Sequence, residues 1–84
     1  MSEPKVTIYT TTWCGFCKMA KNYMQQLGVA FAEKDVERDE VAAKESVEKS
    51  NQMGVPVIDV NGTIIVGFDR PTLDHAFKQN GLVK

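Results

Sequence analysis

Lys5-Val6-Thr7-Ile8-Tyr9-Thr10-Thr11-Thr12-Trp13-Cys14-Gly15-Phe16-Cys17-Lys18 is the stretch that decides the fold. Lys5 to Thr10 is β-branched and aromatic, the composition of a strand. Thr11 and Thr12 interrupt it. Apolar residues then recur at Phe16, Met19, Ala20, Tyr23, Met24 and Leu27. That spacing predicts a helix with those residues on its core face, ended by Gly28. The two cysteines thus stand where a strand gives way to a helix, one helical turn apart.

Working outward, Val29 to Val36 carries a shorter apolar alternation (Val29, Phe31, Val36) and reads as a second strand. Residues 38–49 are rich in Glu, Lys and Ala and read as a surface helix anchored by Val41 and Val47. Two apolar runs follow, residues 55–60 and 63–66, joined by Asn61-Gly62. Asn-Gly between apolar runs is a strong hairpin signal, because both turn positions need φ > 0. Leu73, Ala76 and Phe77 mark a closing helix, started by Asp69 and Pro71. The order is β-α-β-α-β-β-α: an α/β chain with a parallel βαβ half and an antiparallel hairpin half. All four strands would join one mixed sheet with helices on its faces. The apolar runs Val6 to Tyr9 and Ile64 to Val66 suit strands covered on both sides.

Eighty-four residues allow one core, hence one domain spanning 1–84. A formal net charge of −1 offers no electrostatic attraction for nucleic acid or an anionic membrane. No apolar run reaches the roughly 20 residues that span a bilayer. Met1 to Lys5 lacks the basic-then-apolar pattern of a secretion signal, so the chain reads as cytoplasmic. In a reducing compartment two cysteines point to metal binding or redox chemistry more than to a permanent structural bridge.

The position of the pair says which chemistry. A thiolate is the nucleophile of disulfide exchange, and a helix N-terminus favours the anion through unpaired N–H groups and the positive end of the dipole. Cys14, exposed at the helix tip, reads as the attacking thiol. Cys17, more shielded, reads as the resolving thiol that attacks the mixed disulfide. Trp13 and Phe16 flank Cys14 and are candidates for contact with substrate. Lys18 and Lys21 add positive charge nearby, or are simply solvated helix lysines. Two buried packing cysteines would belong on the apolar stripe, whereas the pair sits at the strand-to-helix junction and off that stripe. A closed zinc site needs four Cys or His ligands. The chain holds two cysteines and one histidine, His75, which falls off the last helix's stripe. An iron–sulfur cluster or metal shared across a dimer stays as the alternative, and a non-catalytic binding module that keeps the fold is a third.

Trp13-Cys14-Gly15-Phe16-Cys17-Lys18 after a strand, Val55-Pro56-Val57 before a hairpin, and Gly67-Phe68-Asp69 after it together resemble the glutaredoxins, over nearly the whole chain from Lys5. The resemblance implies a thioredoxin-like fold and a disulfide reductase or electron carrier that uses no cofactor, acts on disulfide-containing proteins and is monomeric. It implies a cis Val55–Pro56 bond beside the cysteines, leaving the Val55 backbone for an extended substrate. Gly67, Phe68 and Asp69 would lie at a substrate-binding helix end, where Asp69 also reads as a helix cap and Gly67 as a bend.

The departures bear on the electron donor. Glutathione-using members carry a lysine where this chain has Thr11, and Thr where it has Gly54. They also carry Gly-Gly before the aspartate region, where it has Val66-Gly67-Phe68-Asp69. Gly67-Phe68 followed by Arg70-Pro71 is similar to the glutaredoxin-like hydrogen donors of ribonucleotide reductase. That similarity favours thioredoxin reductase over glutathione as donor. Thr11 and Thr12 themselves read as loop residues without chemistry.

Overall fold

A computed structural model describes residues 4–83; Met1 to Glu3, part of the segment read for a secretion signal, lie outside them. Its elements are β1 (Val6–Thr10), α1 (Gly15–Leu27), β2 (Phe31–Asp35), α2 (Glu40–Ser50), β3 (Val57–Val60), β4 (Thr63–Val66) and α3 (Arg70–Gln79). The four strands form one sheet in the order β2-β1-β3-β4. β1 runs parallel to β2, with Val6 opposite Phe31, and antiparallel to β3, with Ile8 opposite Ile58. β3 and β4 make the hairpin, closed by Asn61 (φ 50°) and Gly62 (φ 100°) as their residue types require. Gly28 ends α1 in the left-handed conformation, at φ 74°. No helix among the described residues is long and apolar enough to cross a membrane.

Strand alternation sorts the side chains onto two faces. Val6, Ile8, Ile58, Val60 and Ile65 face one side and pack with Ala20 and Met24 of α1 and Leu73, Ala76 and Phe77 of α3. Tyr9 and Val57 face the other side and pack with Ala42 of α2. The sheet is therefore covered by α1 and α3 on one face and by α2 on the other, the mixed α/β arrangement expected.

Three packing expectations need correction. Val41 and Val47 do not anchor α2. Val41 is 65% exposed and Val47 lies outward, while Ala42 and Ser46 are buried. The bulky Tyr9 ring fills that side of the sheet, so the helix meets it with small residues. On α1 the buried line is Cys17, Ala20 and Met24, with Phe16, Met19 and Leu27 facing outward. Cys17 therefore lies on the buried stripe after all. Lastly, β4 is an edge strand covered on both faces only at its middle, where Ile65 joins the α1–α3 core and Ile64 packs against Tyr9, Ala42 and Val57, while Val66 is exposed.

A polar network crosses the α2 face. The Tyr9 hydroxyl donates to Glu45 Oε1 at 2.9 Å and accepts from Lys49 Nζ at 2.9 Å. Lys34 pairs with Glu45 at 2.9 Å, and Lys49 with Asp59 at 2.7 Å. The Lys34 ammonium, then the Tyr9 hydroxyl, hold the Glu45 carboxyl below its ordinary 4.5. Asp59, then Tyr9, hold Lys49 above its ordinary 10.5. The signs follow from linkage. A carboxylate with a depressed folded pKa stabilises fully above 4.5, and that share is lost as pH falls through the folded value. A raised lysine stabilises below 10.5, and its share is lost as pH rises through the folded value. Chemical denaturation at stepped pH should show stability falling below pH 4.5, with a shallower fall in Glu45→Gln. An unchanged slope in that variant would remove Glu45 from the account.

Candidate active site

Cys14 is the N-cap of α1. Its backbone is extended (φ −89°, ψ 109°), and its Sγ accepts the N–H of Cys17 at 3.1 Å. Its carbonyl accepts from the Lys18 N–H at 3.3 Å. The sulfur thus sits on one of the N–H groups that a helix start leaves unpaired, where negative charge is favoured. Cys14 and Cys17 are joined as a disulfide, their Cα atoms 5.2 Å apart.

The expectation that Cys14 is exposed needs revision. It is 6% exposed and Cys17 only 1%. The order of accessibility is the expected one, but both thiols are covered. Cys17 is buried because it lies on the inner face of α1. Cys14 is shielded because it sits on the floor of a cleft of about 370 Å³ whose walls include Trp13, Phe16, Val36, Met53 and Val55. Trp13 (73% exposed) and Met53 (88% exposed) give the cleft an apolar rim. Met53 carried no signal in the sequence and Val36 only that of a strand residue, because the cleft is assembled from three separated segments.

The Val55–Pro56 peptide is cis, as the resemblance implied. Pro56 is buried, and its carbonyl accepts the Gly67 N–H at 2.8 Å. Among the described residues no hydrogen bond engages the Val55 backbone N–H or C=O. Gly54 is wrapped by Gln52, whose side-chain amide bonds both the N–H and the carbonyl of Gly54. A Cβ at Gly54 would come within 2.7 Å of Gln52 Oε1, so glycine is what admits this wrap.

Gly67, at φ 83°, makes the bend after β4. Phe68 does not join the cleft. It packs edge-on against Tyr23, ring centroids 5.9 Å apart, beside Arg70, whose guanidinium lies 4.7 Å from the Tyr23 ring centre. The Tyr23 hydroxyl donates to Asp74. Asp69 caps α3: Oδ1 accepts the Thr72 N–H at 3.4 Å and Oδ2 the Thr72 hydroxyl at 2.9 Å. The structure therefore gathers Trp13, Cys14, Phe16 and Val55 around one cleft. Cys17 and Pro56 lie buried beside it, and Gly67 touches it through Pro56. Phe68 and Asp69 stand on the neighbouring α1–α3 surface.

The loop threonines are not the bland residues expected. Thr12 gives both its N–H (3.2 Å) and its hydroxyl (3.1 Å) to Glu37 Oε1. Glu37 Oε2 accepts the Trp13 indole N–H at 3.0 Å. These donors, the Thr12 N–H first, hold the Glu37 carboxyl below its ordinary range. Thr11 lines the cleft with a buried hydroxyl that finds no partner in this structure. Lys21 is committed to Glu33 at 2.8 Å, leaving Lys18 as the lysine exposed near the pair. Among the described residues no group of three or more His, Cys, Asp or Glu side chains is placed to hold a metal ion.

The model of the glutaredoxin family matches residues 6–65. The chain belongs to the glutaredoxin family. It is 38% identical over 74 residues to an uncharacterized glutaredoxin-like 8.6 kDa protein in the rubredoxin operon of Clostridium pasteurianum, covering 88% of this chain and 99% of that one. It is 36% identical over 81 residues to a glutaredoxin of Pseudomonas aeruginosa, covering 95% and 96%. The crystal structure of glutaredoxin grx-1 from Archaeoglobus fulgidus superposes with a TM-score of 0.81 over 89% of this chain and 87% of that one. At 19% identity that likeness speaks for the fold, which is thioredoxin-like. A glutaredoxin with the pair Cys14–Cys17 is a redox protein, a thiol–disulfide oxidoreductase.

Proposed function

We propose that this glutaredoxin reduces disulfides in other proteins by dithiol exchange, with Cys14 attacking and Cys17 resolving. The observation that carries this reading is the inequality of the two sulfurs: Cys14 floors an open cleft at a helix N-terminus, while Cys17 is buried behind it. The Cys14 thiolate attacks one sulfur of the substrate disulfide. A Cys14–substrate bond forms, the substrate S–S bond breaks, and the leaving sulfur takes a proton. Cys17, deprotonated, then attacks Cys14 Sγ, forming the Cys14–Cys17 disulfide and releasing the second substrate thiol. Two electrons have passed to the substrate, and an external dithiol or glutathione must return them.

Trp13, Phe16 and Val55 would receive the substrate. The unengaged N–H and C=O of Val55 suit pairing with an extended segment around the target cysteine. Gly67 supports that edge through the Pro56 carbonyl. Phe68 and Asp69 would form the flank, reached only by a substrate large enough to leave the cleft. The protein would act as a monomer in the cytoplasm without a bound cofactor.

Thioredoxin reductase is the favoured donor. The glutathione-using pattern places a lysine at the position of Thr11, and here that side chain is a short hydroxyl turned into the protein. Turnover of insulin disulfides should therefore be robust with NADPH and thioredoxin reductase, and at least about tenfold slower with NADPH, glutathione and glutathione reductase, the cost of one missing charge-assisted contact. Equal rates with both donors would overturn the preference.

A further inference from the structure

The sole tryptophan of this chain is 73% exposed, yet its indole is held. An exposed indole N–H is satisfied by water at no cost to the fold. Here it is spent on Glu37 Oε2 at 3.0 Å, across 24 residues of sequence. The other carboxylate oxygen holds the neighbouring residue twice, through the Thr12 N–H and hydroxyl. Glu37 is itself fixed from below, its N–H donating to Asp35 Oδ1 at 2.9 Å in the turn that follows β2. Asp35 in turn faces Arg38 at 3.7 Å. One carboxylate thus ties the β2 turn to the two residues immediately before Cys14, with three donors on a charged acceptor.

We propose that Glu37 is a positioning residue that holds the Trp13 indole as a fixed wall of the Cys14 cleft, so that substrate docks on a preformed surface. An unheld indole would sample several rotamers, and docking would have to freeze one of them. Glu37 does not touch the reacting sulfurs, so its loss should weaken docking and leave the exchange step alone. The inference deepens the proposed function and rests on Cys14 being the attacking thiol.

The test uses Glu37→Ala, Glu37→Gln, Trp13→Phe and the double variant Glu37→Ala/Trp13→Phe, with insulin disulfides as substrate and thioredoxin reductase as donor. Glu37→Ala should raise KM about fivefold, with kcat within about twofold. Glu37→Gln, with one acceptor oxygen left, should fall between. In the Trp13→Phe background, adding Glu37→Ala should change KM less than about twofold, because the partner is already gone. The single tryptophan supplies a readout independent of turnover: its nanosecond fluorescence anisotropy should decay faster in Glu37→Ala than in the wild type. Unchanged anisotropy would overturn the proposal, as would the same KM penalty with and without Trp13. A wild type with no reductase activity would sink the proposed function instead, and the anisotropy comparison would still decide what Glu37 does to Trp13.

Discussion

Cys17→Ser, mixed with a disulfide-bearing protein, is expected to accumulate a covalent one-to-one adduct through Cys14 that dithiothreitol dissolves. Cys14→Ser is expected to form no adduct and to lose turnover by about a thousandfold or more, as removal of a nucleophile does. The asymmetry follows from position. Cys14 lines the cleft as the N-cap of α1, with its sulfur on the Cys17 N–H. Cys17 shares the inner face of α1 with Ala20 and Met24 and is shut off from a macromolecular substrate. Without Cys17 the first exchange proceeds and the second has no nucleophile. Intact-mass spectrometry reads the adduct, and peptide mapping locates it. Serine places a hydroxyl in a buried position, so Cys17→Ala serves as the apolar control on folding. Full reductase activity in Cys14→Ser would show the assignment of the two thiols to be wrong.

Local rules made much of this legible. Asn61-Gly62 named its turn because few residue types tolerate two consecutive positive φ values, and Asp69 named a cap because a short carboxylate reaches the first free N–H groups of a helix. The junction of Cys14 and Cys17 was legible for the same reason: strand, break and helix are all signals carried within a few residues. What escaped depended on partners far away in sequence. Val41 and Val47 look like anchors until the sheet is seen to present Tyr9 to α2, and then Ala42 and Ser46 fit and the valines do not. The helical spacing of Phe16 and Met19 is genuine, but the sheet takes the line through Cys17, which leaves Phe16 to line the thiol cleft and Met19 exposed outside it. Glu37 gave no signal at all. An acidic residue in a charged turn is ordinary, and only the approach of the β2 turn to the loop before Cys14 makes it a partner of Trp13.

Phe77→Ala should cost about 3–5 kcal/mol, the usual loss when a buried aromatic is cut to alanine. Phe77 is fully buried where α3 meets the sheet and α1, among Ile8, Ile58 and Met24. A chain of 84 residues has roughly 4–13 kcal/mol in total at about 0.05–0.15 kcal/mol per residue, so this one truncation takes a large share. At about 4–8 °C per kcal/mol for a domain of this size, Tm should fall by at least about 12 °C, followed by circular dichroism. Phe77→Leu refills most of the volume and should fall far less. The loss should reach the cleft as well. The cap of α3, Asp69, lies two residues after Gly67, and the Gly67 N–H holds the Pro56 carbonyl at 2.8 Å. If α3 is loosened, so is the Pro56 edge of the Cys14 cleft, and KM for a protein disulfide should rise in Phe77→Ala even well below its transition. A KM equal to the wild type's at such a temperature would mean that α3 supports the fold without steadying the substrate edge. A Tm within about 3 °C of the wild type would deny the packing argument itself, since no buried phenylalanine in a core this small should be that dispensable.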